Sequence, residues 1–194
     1  MQERVSWKAI LFSITFISIA LYINYIGGLY TDKSGNAAPG DIILDKFKPV
    51  DLSFIYVWLN IAVIAAIFLY PIIFKRDKFC YVTNMVSLFI IVRVLFLIST
   101  HLKTPADIIL PDYPSIFQKI HFKNDLFFSG HAGLPFLGFL IFKENKKLRY
   151  FLLASSLVFG IVVLLMHVHY TIDVTASYFI TYGVFKIGEK IFRE

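Results

Sequence analysis

The chain has 194 residues, 58% of them hydrophobic and 18% aromatic, with a mean hydropathy of +0.71 and a formal net charge of +6. A composition this apolar excludes an ordinary soluble domain and reads as a single polytopic membrane domain spanning residues 1–194. The lone Cys80 excludes an intramolecular disulfide and a cysteine-based metal cluster, and the basic residues gather at the ends of apolar runs, as in membrane topology rather than a nucleic-acid footprint.

The first apolar run lies between Lys8 and Asp32. It is longer than the apolar core of a signal peptide and lacks a small-x-small cleavage site, so it is expected to be a retained helix at about residues 9–30. Thr31 to Asp51, with Gly35, Pro39, Gly40 and several Asp and Lys, is a loop. The second run, 52–74, stops at Lys75-Arg76-Asp77-Lys78, and the third, 79–101, is broken only by Arg93.

His101 to Asp125 contains Pro105, Pro111 and Pro114 and forms a long connection with room for an interfacial helix, a candidate lid carrying His101 and His121 on its surface. The fourth run, 126–142, opens with Ser129-Gly130-His131 and closes at Lys143 to Arg149. The uninterrupted stretch from Tyr150 to Phe185 is long enough for two crossings of ~20 residues each, 150–167 and 169–187, joined by a tight turn near Met166 to His169. The expected fold is therefore all-α, a six-transmembrane-helix bundle. About twelve Lys and Arg fall on the side of the termini and about six on the other, which puts both termini in the cytoplasm.

Ionisable residues inside such runs are costly and mark function by default. On a continuous helix His169 and Asp173, four apart, share one face, so a carboxylate can hold an imidazole. His131 and Arg93 come to a comparable depth from neighbouring spans, Arg93 roughly 10 Å below the outer end of its helix. Phosphoryl transfer through a covalent intermediate needs such a set: His169 as nucleophile, Asp173 to orient it, His131 to protonate the leaving oxygen. Arg93, Ser129 and Gly130 would bind the phosphate oxygens, the latter two with a hydroxyl and a backbone donor at a helix start. Asp125, Tyr170 and His167 are candidate supporting residues. Against this stand a structural reading, in which Arg93 snorkels or pairs with Asp173, and a metal site made from His131, His167, His169 and Asp173. His167 and His169 diverge by about 200 degrees on a helix, so they do not easily share one ion, and neither metal nor cofactor is expected.

These residues carry a resemblance. Phe128-Ser129-Gly130-His131 and His169-Tyr170-Thr171-Ile172-Asp173 resemble the second and third signatures of the type 2 phosphatidic acid phosphatase superfamily, and most closely its sphingomyelin synthase branch. That branch's Gly-Asp-x-x-x-Ser-Gly-His pattern appears as Asn124 to His131 with Asn in the first place, and its His-Tyr-Thr-x-Asp-Val pattern is met in full, followed by Tyr178 and Thr181. Arg93, Thr100 and Pro105 fit the branch's arginine-bearing segment, and Pro39, Asp41 and Asp45 its Pro-x-Pro-Asp loop. Val162 and Val163 stand where classical phosphatases have Ser-Arg, and Val168 stands where amine-selecting branch members have an acidic residue.

The resemblance implies a multi-pass protein with its site facing the non-cytoplasmic side and a phosphohistidine-type intermediate on His169. It implies a membrane phospholipid as donor of a group such as phosphocholine or phosphoethanolamine. The acceptor would be a lipid alcohol such as ceramide or diacylglycerol, or water in a phosphatase. A non-catalytic lipid-binding, transport or scaffold protein is the remaining class.

Overall fold

The computed structural model describes residues 6–35, 38–111 and 122–192, and its regular elements among these are helical. Among the described residues six α-helices follow one another: α1 Trp7–Ser34, α2 Ser53–Phe74, α3 Phe79–Thr100, α4 Gly130–Ile141, α5 Lys146–Leu165 and α6 Thr171–Ile191. Single 3-10 turns, Leu44–Lys46 and Arg76–Lys78, precede α2 and α3. Four helices are long and apolar enough to cross a membrane, namely α1, α2, α5 and α3 with the turn before it. The chain is thus an all-helical integral membrane protein.

The fourth apolar run differs from expectation. Residues 126–142 read as one helix, but the helix begins only at Gly130, and its 12 residues span ~18 Å, short of a ~30 Å hydrocarbon core. The residues before it are non-helical and largely buried. Irregular backbone at membrane depth is tolerated only where protein satisfies its polar groups, and three such contacts are made here. Asn124 N donates to Asp32 Oδ1 at 2.7 Å, the Phe128 carbonyl accepts from Arg93 Nε at 2.9 Å, and Ser129 N donates to the Asp173 carbonyl at 3.1 Å.

This short helix is the centre of the bundle, touching α2, α3, α5 and α6, while α1 lies outside along α3. Gly27 permits that approach, since a Cβ there would come 2.7 Å from Val94 Cγ1. Between the helices Ile67, Met85, Phe89, Phe128, Leu137 and Phe159 form the buried apolar core.

The turn from α5 to α6 is held from outside by two loops. Val50 N donates to the Leu165 carbonyl at 2.7 Å, Ile109 N to the Met166 carbonyl at 3.0 Å, and Tyr170 Oη to the Lys103 carbonyl at 2.8 Å. Asp41 makes the strongest tie: its Oδ2 accepts from Thr171 N at 2.7 Å and its Oδ1 from Thr171 Oγ1 at 2.6 Å and Ile43 N at 2.8 Å. Burial pushes the Asp41 carboxyl up, but the bonds from Thr171, Ile43 and Leu44 together outweigh it and hold the carboxyl below its usual range. Of the expected lid, His121 and Pro114 lie outside the described residues. His101, expected on the loop surface, is half-buried at the end of α3 with its Nε2 2.9 Å from Tyr30 Oη.

Asp41→Asn places an amide donor against the donors of Thr171. The thermal midpoint of the detergent-solubilised variant, read by a thiol-reactive dye on half-buried Cys80, should drop by several degrees at pH 7, for a loss of about 1–3 kcal/mol. Because the folded-state pKa is lowered, the wild-type advantage is complete above the usual aspartate value of 3.8 and closes as pH falls through the folded value. Equal midpoints at pH 7 would rule the tie out as a stabilising contact.

Candidate active site

His169 and Asp173 meet, though not as two positions on one helix face. His169 lies before the helix: Tyr170 is the extended N-cap residue, and α6 starts at Thr171. Asp173, the third residue of α6, reaches back so that its Oδ2 stands 3.3 Å from His169 Nδ1 and accepts from Tyr170 N at 2.9 Å. The helix start favours a carboxylate electrostatically, and both side chains are buried, His169 being 1% and Asp173 0% exposed. With Nδ1 committed to the carboxylate, Nε2 is the imidazole nitrogen left for chemistry. Asp173 Oδ1 has no hydrogen-bond partner among the described residues.

His131, the second residue of α4, faces this pair with its ring centroid 6.1 Å from that of His169. Ser129 caps α4, its Oγ accepting from Ala132 N at 3.4 Å, while its own N–H is bonded to the Asp173 carbonyl. That bond ties the starts of α4 and α6 together, and Ser156 of α5 secures the same turn by donating to the Ala132 carbonyl at 2.7 Å. The register that brings the two histidines together is therefore set by main-chain bonds.

Arg93 reaches the start of α4 from α3. Its Nη2 lies 2.7 Å from Asp125 Oδ1 and its Nε donates to the Phe128 carbonyl, so its carboxylate partner is Asp125, not Asp173. Snorkelling is also ruled out, since Arg93 is only 7% exposed. Gly130 makes room for it: a Cβ there would stand 3.0 Å from Arg93 Nε. Arg93, Asp125, Gly130 and His131 line a cavity of about 170 Å³ between α1, α2, α3 and α4.

The supporting candidates divide. Asp125 orients Arg93, and Tyr170 caps α6 with its hydroxyl turned to the Lys103 carbonyl. His167 turns away: it has φ 55°, its Nδ1 lies 2.9 Å from Asp107 Oδ1, and its ring meets the edge of Phe47. Its hydrogen bond holds the Asp107 carboxyl below the usual range. His167 and Tyr170 line a second cavity of about 260 Å³ with Asp41, Asp45 and Asp107. The two histidines of the turn thus serve different carboxylates, and among the described residues no three His, Cys, Asp or Glu side chains are grouped to hold a metal.

One member of the site carried no sequence signal. Tyr56, fully buried near the start of α2, places its Oη 3.2 Å from His131 Nδ1, and its ring packs 4.4 Å from the imidazole. An isolated tyrosine in an apolar helix looks like packing. Only the tertiary fold turns its hydroxyl toward α4.

Fold and site together define a helical membrane protein with a buried histidine–carboxylate pair, a facing histidine and a positioned arginine. Residues 124–190 match the family model described as PAP2 superfamily C-terminal. The match takes in the segment from Asn124 through most of α6, and it supports the type 2 phosphatidic acid phosphatase superfamily and its phosphatase or phosphotransferase chemistry. No curated protein and no solved structure matches the chain significantly.

Tyr56→Phe keeps the ring and removes one hydrogen bond to His131. Phosphoryl turnover should fall about 3- to 10-fold, the worth of one neutral hydrogen bond, with the thermal midpoint nearly unchanged. If His131 is the acid, the loss shrinks for an aryl phosphate, whose leaving group needs little protonation. Equal losses on both substrates would instead mark Tyr56 as a packing residue.

Proposed function

We propose that this protein is an integral membrane lipid phosphotransferase of the sphingomyelin synthase kind. The observation that carries the reading is the buried His169–Asp173 pair, in which the imidazole engages the carboxylate through Nδ1 and has its ring 6.1 Å from that of His131. Val162 and Val163, buried in the apolar packing around Tyr56 and Ala132, put no cation at the histidine end of α5, whose arginine, Arg149, stands near the opposite end, so Arg93 on α3 supplies the cation.

In this scheme Nε2 of His169 attacks the phosphorus of a phospholipid while Asp173 holds the Nδ1 proton and stabilises the charge that forms. The P–O bond to the lipid alcohol breaks, and His131 passes its proton to the leaving oxygen. In the second half, an acceptor hydroxyl gives its proton to His131 and attacks the phosphorus, and the P–N bond breaks. Arg93, held through Nε and Nη2, and backbone donors at the α4 start balance the phosphate charge. All six helices cross the bilayer, the short α4 completed by its buried approach, with both termini cytoplasmic and the site on the opposite side.

The reading is tested with the purified protein, a phospholipid labelled in its headgroup, and ceramide or diacylglycerol added or left out. Label should move to the added alcohol, and an acid-labile, base-stable phosphoprotein should accumulate without acceptor. His169→Ala should lose at least about 10³-fold of the turnover with unchanged expression. Chelators should leave activity intact, since no step uses a metal. Release of free headgroup phosphate alone, acceptor present, would make the protein a phosphatase using the same residues with water.

A further inference from the structure

Two asparagines in the outer halves of α1 and α2 are unexplained by the mechanism. Asn24 and Asn60 sit among apolar residues in helices whose remaining side chains at that depth face lipid or core. A side-chain amide in a membrane span is expected to find a partner on a neighbouring helix. Neither finds one among the described residues: both are half-buried, make no side-chain hydrogen bond there, and line the 170 Å³ cavity that also holds His131 and Arg93.

The depths agree. Asn60 is seven residues into α2 and Arg93 seven residues from the end of α3, each roughly 10 Å along its helix from the outer side. The rest of the lining is Val86, Phe89, Ile90 and Leu134, so the cavity is apolar apart from the amides and the catalytic groups. Its outer wall is thin, because α1 packs along α3 and makes little contact with α2. Ile23 and Ile61, the chain neighbours of the two asparagines, are exposed on the outside of the bundle, where lipid would lie.

We infer that Asn24 and Asn60 form the binding subsite for the lipid alcohol of the reaction. The occupant is a bilayer lipid with a free hydroxyl and a second polar group, an ester, amide or further hydroxyl, within a few bonds of it. The hydroxyl reaches His131, the second polar group takes the two amides, and the chains leave between α1 and α2. This rests on the phosphotransfer reading and sharpens it. His131 is the catalytic histidine that this cavity contacts, and His169 lies beyond it. The cavity therefore approaches from the side of the leaving and incoming oxygen. Both alcohols exchange a proton with His131, so one subsite serves the alcohol released from the donor and the alcohol that accepts the phosphate.

The test uses the full chain in phosphatidylcholine vesicles with a diazirine-bearing diacylglycerol as probe, in the wild-type and His169→Ala backgrounds, so that binding is read without turnover. Cross-links should map to α1 and α2 around positions 24 and 60 and be competed by unlabelled diacylglycerol. Asn24→Leu with Asn60→Leu, which suits membrane insertion, should reduce labelling at least 5-fold and raise the acceptor KM at least 10-fold. Phosphoprotein formation from donor should slow at least 5-fold in that variant, because the released alcohol uses the same subsite. Labelling that is absent from these helices, or unchanged in the double variant, overturns the subsite. Loss of phosphoprotein in wild type would sink the phosphohistidine mechanism, while the labelling result still decides the subsite. A single-asparagine variant checks any double variant that fails to elute as a monodisperse species.

Discussion

The structure depends on one buried carboxylate. Asp173 has no solvent exposure, and an ionised group in such a place is stable only if donors and a favourable field surround it. It gets both by standing in the first turn of α6, where the helix end is positive, the Tyr170 N–H points at it and the His169 imidazole lies alongside. The requirement dictates where α6 begins. A helix starting two residues earlier would pull His169 onto the barrel of the helix, away from the reach-back geometry.

Holding that start in place is the work of residues distant in sequence. Asp41 satisfies Thr171 N, a donor that the helix itself leaves unpaired, and the loops around Val50 and Ile109 pin the last carbonyls of the preceding turn. From the other side, Ser129 N binds the Asp173 carbonyl and so couples α4 to α6. The two histidines sit at the ends of short, irregular segments, several of whose backbone groups are bonded to parts of the chain distant in sequence.

Much of this was legible in the chain. The apolar runs located most of the helices, and the polar residues inside them, His131, His169, Asp173 and Arg93, stand out because membrane depth makes an idle charge expensive. The geometry behind them was less legible. The four-residue spacing of His169 and Asp173 suggested a shared helix face, yet the contact is a reach-back across a helix start. Arg93 was assigned a neighbour by depth alone, and the nearer Asp125 claims it because the chain before α4 dips into the bundle instead of forming helix. Tyr56, Asn24 and Asn60 could not be read at all, since one polar atom on an apolar helix gives no pattern.

What the sequence by itself determined was local: where the chain is apolar enough to form membrane helices, where proline, glycine and charge break them, and which side chains are too costly to be idle. Those properties follow from composition and spacing along the chain. The tertiary structure alone decided which nitrogen of His169 is free, which carboxylate Arg93 binds, which hydroxyl faces His131 and where α4 starts. Each depends on donors and acceptors brought together from segments far apart in the chain, at positions that hydropathy and helical periodicity do not encode.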